Sequence, residues 1–236
     1  MLSNAQNWHS GRVNRVWIIT AATFALALTG CVAPVTAEPP ASSAGSASGA
    51  TCSYQTTADA ARKVELPPAT GVANTGTITL AMSLSGQAVG LTLDQQRTPC
   101  TTNSFVSLAA QGYFDNTACH RLVDNSGLFV LQCGDPSGTG SGGPGYQFAD
   151  ELAGDETYGA GTLAMANAGA NTNGSQFFIV YEDSMLPASY TVFGSVDAAG
   201  LAVIKKIADA GQDNSFGAAG GGKPNAPAVI ESITRG

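Results

Sequence analysis

GTLAMANAGANTNGSQFFIVY, residues Gly161 to Tyr181, is the stretch on which the reading of this 236-residue chain turns. Two apolar runs, Thr162–Ala166 and Gln176–Tyr181, have strand character, and the residues between them are small or carry amides. Three asparagines (Asn167, Asn171, Asn173) and two glycines (Gly169, Gly174) fall in that loop. Such residues accept left-handed backbone angles and bond their own main chain, so they can fix an irregular loop. Successive side chains of a strand point to opposite faces. One phenylalanine of Gln176-Phe177-Phe178 can therefore enter a core while Gln176 and the other face whatever the loop holds. A hairpin with a wide turn would explain any one of these residues. Together they suit a polypeptide-binding groove with amides on its rim and an aromatic floor.

Working outward, the neighbouring texture is also one of short strands. Thr77–Ser83 alternates, with Ile78, Leu80 and Met82 on one side; Leu84–Gln87 can turn, and Val89, Leu91 and Leu93 alternate again, giving a hairpin. Thr98-Pro99 reads as an N-cap and first helical residue, opening a helix through Gln111 with an apolar stripe of Phe105, Leu108 and Ala109. Ala118–Val123 and Leu128–Cys133 flank the turn residues 124–127 as a second hairpin. After the central stretch come a strand at Tyr190–Val196 and a helix capped by Asp197 with a stripe of Leu201, Ile204 and Ile207. The glycine loop Gly217–Gly222 then leads to a last strand, Ala228–Thr234. Roughly eight strands and two helices without βα alternation predict an all-β fold: a closed eight-stranded antiparallel barrel capped by two α-helices.

Several apparent motifs dissolve on inspection. Gly138 to Gly143 matches G-x-G-x-x-G, but Pro144-Gly145 follows where a dinucleotide site needs a helix. No CxxC or Cys/His cluster has zinc spacing, so no metal site is expected. Cys119 precedes His120, but strand neighbours point apart, which argues against a thiol–imidazole dyad. His120 reads as a structural histidine, and Asp150-Glu151 and Asp155-Glu156 read as a solvated loop. The sequon Asn173-Gly174-Ser175 lies within the loop read as binding and is discounted.

Composition narrows the partners. Charged residues make up 11% of the chain and the net charge is −7. The first 30 residues hold Arg12 and Arg15 and no acidic residue. Without them the remainder is more acidic still, so nucleic acid is excluded as a partner. Those arginines precede an apolar run, Val16–Leu28, which is shorter than the ~20 residues that span a bilayer. A basic start, a short apolar run and small residues describe an export signal over residues 1–30. Its ending, Leu28-Thr29-Gly30-Cys31, resembles a bacterial lipobox, which implies lipidation of Cys31 and attachment to the outer face of the cell membrane. Residues 31–70 then read as a flexible Pro/Ala/Ser tether and N-terminal extension, and 71–236 as the folded domain. Four cysteines remain, allowing three pairings. The second hairpin makes Cys119 with Cys133 geometrically plausible. Cys52 with Cys100 would follow by elimination.

With these pieces in order, the module resembles the cyclophilin family of peptidyl-prolyl cis/trans isomerases. The likeness runs from about Gly76 to the end and rests on Cys119-His120-Arg121, Phe129 to Asp135, Gly138-Thr139-Gly140, MANAGANTNGSQFF (165–178) and Val192-Phe193-Gly194. It implies an eight-stranded barrel with two helices, no cofactor, and rotation about X-Pro bonds in exported proteins. It places the catalytic arginine at Arg121, with Gln132 contacting substrate and holding it. The proline pocket falls on Phe129, Val130, Phe178 and Leu186. Ala166, Asn167 and Ala168 match the loop that binds the residue before proline, and Gln176 matches a rim glutamine. The likeness also places Met185 and Tyr190 beside the substrate. Met185 stands where many members have tryptophan, which implies weak or absent cyclosporin binding. The expected partners are proline-containing polypeptides, bound by a monomer. The alternative is a proline-segment-binding chaperone or scaffold of the same fold without turnover.

Overall fold

In the computed structural model the chain is described over residues 49–57 and 60–236; the export signal, Cys31 and the tether as far as residue 48 lie outside the described residues. The described strands are, in chain order, β1 (Gln55–Thr56), β2 (Thr77–Leu84), β3 (Gln87–Asp94), β4 (Thr117–Ala118), β5 (Arg121–Asn125) and β6 (Leu128–Cys133). They continue with β7 (Tyr146–Gln147), β8 (Thr162–Met165), β9 (Phe177–Val180), β10 (Val192–Val196) and β11 (Val229–Arg235). The helices are α1 (Pro99–Ala110) and α2 (Ala198–Ala208).

The first hairpin forms as its alternation requires. Leu80, Met82, Leu84, Val89, Leu91 and Leu93 are all buried, and a two-residue turn, Ser85-Gly86, joins the strands with both residues at positive φ. Such turns match the right-handed strand twist. The same device closes the second hairpin at Ser126-Gly127. That hairpin is shorter than expected: its first strand begins at Arg121, because Cys119 and His120 leave the strand path after β4.

Nine strands make one antiparallel sheet in the order β4-β11-β2-β3-β10-β8-β9-β6-β5, and β1 pairs with β7 in a second, two-stranded sheet. The expected closed eight-stranded barrel is therefore met at a coarser level, as an all-β curled antiparallel sheet with two helices. The sheet's edges, β4 and β5, are consecutive in the chain, and no ladder joins them. Helix α2 packs on β3, and α1 lies against β11 and β3.

The sheet separates two apolar clusters. The larger centres on the fully buried rings of Phe114, Phe177 and Phe193 around Phe105, with ring centroids 5.0–5.2 Å from Phe105. Across the sheet, Val123, Val130, Tyr158, Ala164, Phe178 and Val180 form a smaller cluster. Phe177 and Phe178 thus divide between the two faces, as the two-residue period of a strand demands.

Helix ends depart from the sequence reading in one instructive way. Asp197 caps α2 as expected, its carboxylate accepting from the Gly200 N–H at 2.6 Å. Thr98 makes no side-chain cap at α1. Glu151 does so from a distance, accepting from the N–H groups of Cys100 and Thr101 and from the Thr101 hydroxyl at 2.7–3.0 Å. A carboxylate there satisfies orphan donors and complements the helix dipole. Glu156 is buried, accepting from Arg97 and from the Ala153 and Gly154 N–H groups. The two acidic pairs are therefore not merely a solvated loop.

Both expected disulfides are present, Cys52–Cys100 and Cys119–Cys133. The first ties Cys52 of the N-terminal extension to Cys100 of α1, as expected. Arg62 reinforces it, donating to the carbonyls of Gly112, Tyr113 and Asp115 at 2.8–2.9 Å. From Gly49 onward the described residues belong to one compact unit.

Candidate active site

Strand register assembles the site from residues far apart in sequence. Arg121 of β5 lies opposite Gln132 of β6, Gln132 opposite Phe178 of β9, and Phe178 opposite Ala164 of β8. Directly opposed residues share a face, so this row sets a cation, an amide and an aromatic ring side by side. A cavity of about 120 Å³ opens over the row, walled by Leu128, Val130, Phe178, Leu186, Tyr190 and Ala166 with Arg121, Gln132 and Asn167 at its polar side. Tyr190 stands edge-on to Phe178, with centroids 5.6 Å apart.

A relay of amides fixes the cation. Arg121 Nη1 donates to Gln132 Oε1 at 3.2 Å, and Gln132 Nε2 donates to Gln176 Oε1 at 2.9 Å. Gln176 Nε2 in turn donates to the carbonyls of Gly140 and Gly142 at 3.0 and 2.9 Å. Arg121 Nε donates to the Gly220 carbonyl at 3.0 Å, and the Phe216 ring lies 5.9 Å from the guanidinium carbon. Partial burial lowers the guanidinium pKa, from a value so high that the group stays charged near neutrality. Cys119–Cys133 brackets the row, two residues before Arg121 and one after Gln132. His120 is buried, and burial depresses its pKa, keeping it neutral; it faces Phe216 rather than any reacting position.

The asparagine loop bonds itself, as its composition predicts. Asn167 accepts from the Gly169 N–H and donates to the Ser189 carbonyl; Thr172 accepts from the Ala168 N–H and donates to the Gly169 carbonyl. Asn171 sits at positive φ, and Asp150 accepts from its N–H and from the Asn173 amide. Asn173 is fully buried, which closes the sequon to modification.

The structure brings together Arg121, Gln132, Val130, Phe178, Ala166, Asn167, Leu186 and Tyr190. Ala168 and Gln176 line a second, adjoining cavity of about 570 Å³, which shares Gln132, Ala166 and Asn167 with the first. Two expected pocket residues are elsewhere. Phe129 turns to the other face of β6, packing on the main core with its ring 6.0 Å from Tyr181, because its neighbours Leu128 and Val130 take the groove face. Met185 is 82% exposed and lies over the Gly127 turn, outside both cavities. Sequence reasoning missed Leu128, Gly220 and Phe216. Only the glycine-rich run after α2 hinted at a loop approaching Arg121.

The glycine loop that ends the relay is organised by Asp135, which is fully buried. Its carboxylate accepts from the N–H and hydroxyl of Ser137 and from the N–H groups of Gly140 and Gly142. A Cβ at Gly142 would sit 2.1 Å from Asp135 Oδ1, so only glycine fits. Burial would raise this carboxyl's pKa, but those hydrogen bonds outweigh it and hold the pKa below its ordinary value. A lowered folded pKa contributes stability above the unfolded value of ~3.9, and this is lost as pH falls through that value toward the folded one. Asp135→Asn is therefore expected to lower the melting temperature at pH 7. Its gap to wild type should narrow below about pH 4. A gap that stays constant across that range would contradict this role for the carboxylate.

Comparison with known proteins agrees with this geometry. Residues 78–235 match the family described as cyclophilin type peptidyl-prolyl cis-trans isomerase/CLD. The chain is 48% identical over 200 residues to probable peptidyl-prolyl cis-trans isomerase B of Mycobacterium tuberculosis, covering 79% of this chain and 63% of that one. Its Mycobacterium leprae counterpart is 47% identical over 201 residues, covering 78% and 66%. The chain thus spans a little under two thirds of the length of these relatives. A solved Cryptosporidium parvum cyclophilin type peptidyl-prolyl cis-trans isomerase superposes with a TM-score of 0.59 at 30% identity, covering 68% of this chain and 98% of that one. By sequence and by fold, the chain belongs to the cyclophilin-type peptidyl-prolyl cis-trans isomerase family.

Proposed function

We propose that this protein is a peptidyl-prolyl cis/trans isomerase that rotates X-Pro bonds in exported polypeptides and so assists their folding. The observation that carries this reading is a charged guanidinium, held from two sides, on the polar side of a cavity with apolar walls sized for one small ring. Amide resonance sets a barrier of ~18–20 kcal/mol to rotation. As the bond twists, the proline nitrogen becomes pyramidal and gains a lone pair that neither planar isomer offers. Arg121 donates to that nitrogen and so stabilises the twisted form selectively. Proline sits over Phe178, and the main chain of Ala166–Ala168 holds the preceding residue, so one side turns against the other. No bond is broken and no proton leaves, which fits a site whose histidine is buried and neutral.

Exchange NMR on a short X-Pro peptide with the whole protein tests the reading. Accelerated exchange that depends on Arg121 supports it. Peptide binding without acceleration would move the assignment to a proline-segment-binding chaperone or scaffold.

The protein works at the outer face of the cell membrane, anchored by lipid at Cys31; the lipobox-like ending and the two disulfides support this. Mass spectrometry of the mature N-terminal peptide is expected to find a lipid adduct on Cys31, and an unmodified cysteine there would remove the anchor from this account. Exposed Met185 supports weak cyclosporin binding, since it offers no fixed wall beside the cavity. The adjacency of β4 and β5 in the chain supports closure of the sheet into a barrel.

A further inference from the structure

We propose that the N-terminal extension forms a wall of the substrate groove, with Thr57 setting the preference for the residue two before the proline. The inference rests on the isomerase reading above. The extension lies outside the residues matched to the family, which begin at 78. Yet Thr57 lines the larger cavity together with Ala166, Asn167 and Ala168. That cavity shares Gln132, Ala166 and Asn167 with the smaller one. A polypeptide with proline in the smaller cavity and its preceding residue on Ala166–Ala168 must therefore carry the next residue back over the larger one.

The wall is firmly held. Gln55 and Thr56 pair with Gln147 and Tyr146, and the Thr57 and Ala61 N–H groups donate to Gly145 and Gly143 at 2.9 Å. The Tyr54 ring packs edge-on to both Tyr146 and Phe148, and its hydroxyl donates to the Cys100 carbonyl. Cys52–Cys100 fastens the start of the segment and Arg62 its end. A wall already in place adds little ordering cost to binding. Thr57 itself is exposed, so its side chain is free to meet a ligand. No lining residue is charged. A charged substrate side chain would lose water there without gaining a counter-charge, so neutral side chains are favoured.

The test compares wild type, Thr57→Trp and Thr57→Lys as whole proteins, by exchange NMR. The substrates are a capped X-Pro dipeptide and three tripeptides carrying Gln, Glu or Lys two before the proline. Thr57→Trp is expected to lower kcat/KM for the Gln peptide at least about fivefold, mainly through KM. With Thr57→Lys, kcat/KM should rise for the Glu peptide and fall for the Lys peptide, each by roughly two- to fivefold. Both variants should affect turnover of the capped dipeptide, which carries no side chain at that position, less than that of any tripeptide. Equal effects on all peptides, or none on any, would overturn the proposal while leaving the isomerase reading intact. A wild-type protein that accelerates none of them would remove that reading, and this inference with it.

Discussion

Arg121→Ala is expected to lower kcat/KM by about 100- to 1000-fold, the equivalent of ~2.7–4 kcal/mol for one aimed donor in a preorganised site. The loss should fall on kcat, with KM nearly unchanged, because the lone pair Arg121 meets exists only in the twisted form. On the proposed mechanism planar substrate rests instead on other groups that line the cavity, among them Phe178 and Asn167. The fold should tolerate the change. Gln132 keeps its bond to Gln176, and the half-buried arginine side chain leaves a space open to water. Arg121→Lys sharpens the point. An ammonium keeps the charge but lacks the planar fork that reaches Gln132 and Gly220 together, so it should restore only a small part of the rate. Exchange NMR with kcat and KM resolved, alongside the melting temperature, decides the matter. An alanine variant that folds like wild type and keeps its rate would show that charge at this position does not drive rotation.

How much of this was legible beforehand follows from the range of each signal. The two-residue period of Gln176-Phe177-Phe178 is local, and it placed one ring in the core and the other in the groove. The loop between β8 and β9 was legible for the same reason: asparagine, threonine and glycine bond within a few residues of themselves. Phe129 was harder to orient, because resemblance supplies residue identities without faces. Adjacent Phe129 and Val130 cannot both line one side of a strand, and Leu128 holds the place that Phe129 was given. Long-range partners carry no local mark at all. Nothing near Thr98 announces that Glu151 will cap α1, and nothing near Arg121 announces the Gly220 carbonyl, 99 residues away in the chain. The proline, alanine and serine content that reads as tether belongs to the residues up to about 50, and the extension beyond it carries no such local mark. Only Cys52 signalled that part of it is docked, and β1 is too short to show a period.

The contrast between Phe177 and Phe178 also separates stability from function. Phe177→Ala is expected to cost ~3–5 kcal/mol, since its ring is wholly enclosed and its removal leaves a cavity the core cannot fill. The ring meets Phe105 edge-on at 5.2 Å and Phe114 at 5.7 Å, so interactions between aromatic rings are lost as well. Against a typical total of ~5–15 kcal/mol this is a large share, and the melting temperature should fall by roughly 6–20 °C. Molecules that remain folded should still bind substrate, because Phe177 touches neither cavity. Phe178→Ala should do the reverse. Its ring borders the groove, so the space it leaves can take up water, and the smaller stability loss comes with a raised KM for proline peptides. Thermal denaturation and KM on the two variants give the answer together. If Phe177→Ala raised KM as much as Phe178→Ala at a temperature where both are folded, the sheet would not be dividing core from groove between these two residues.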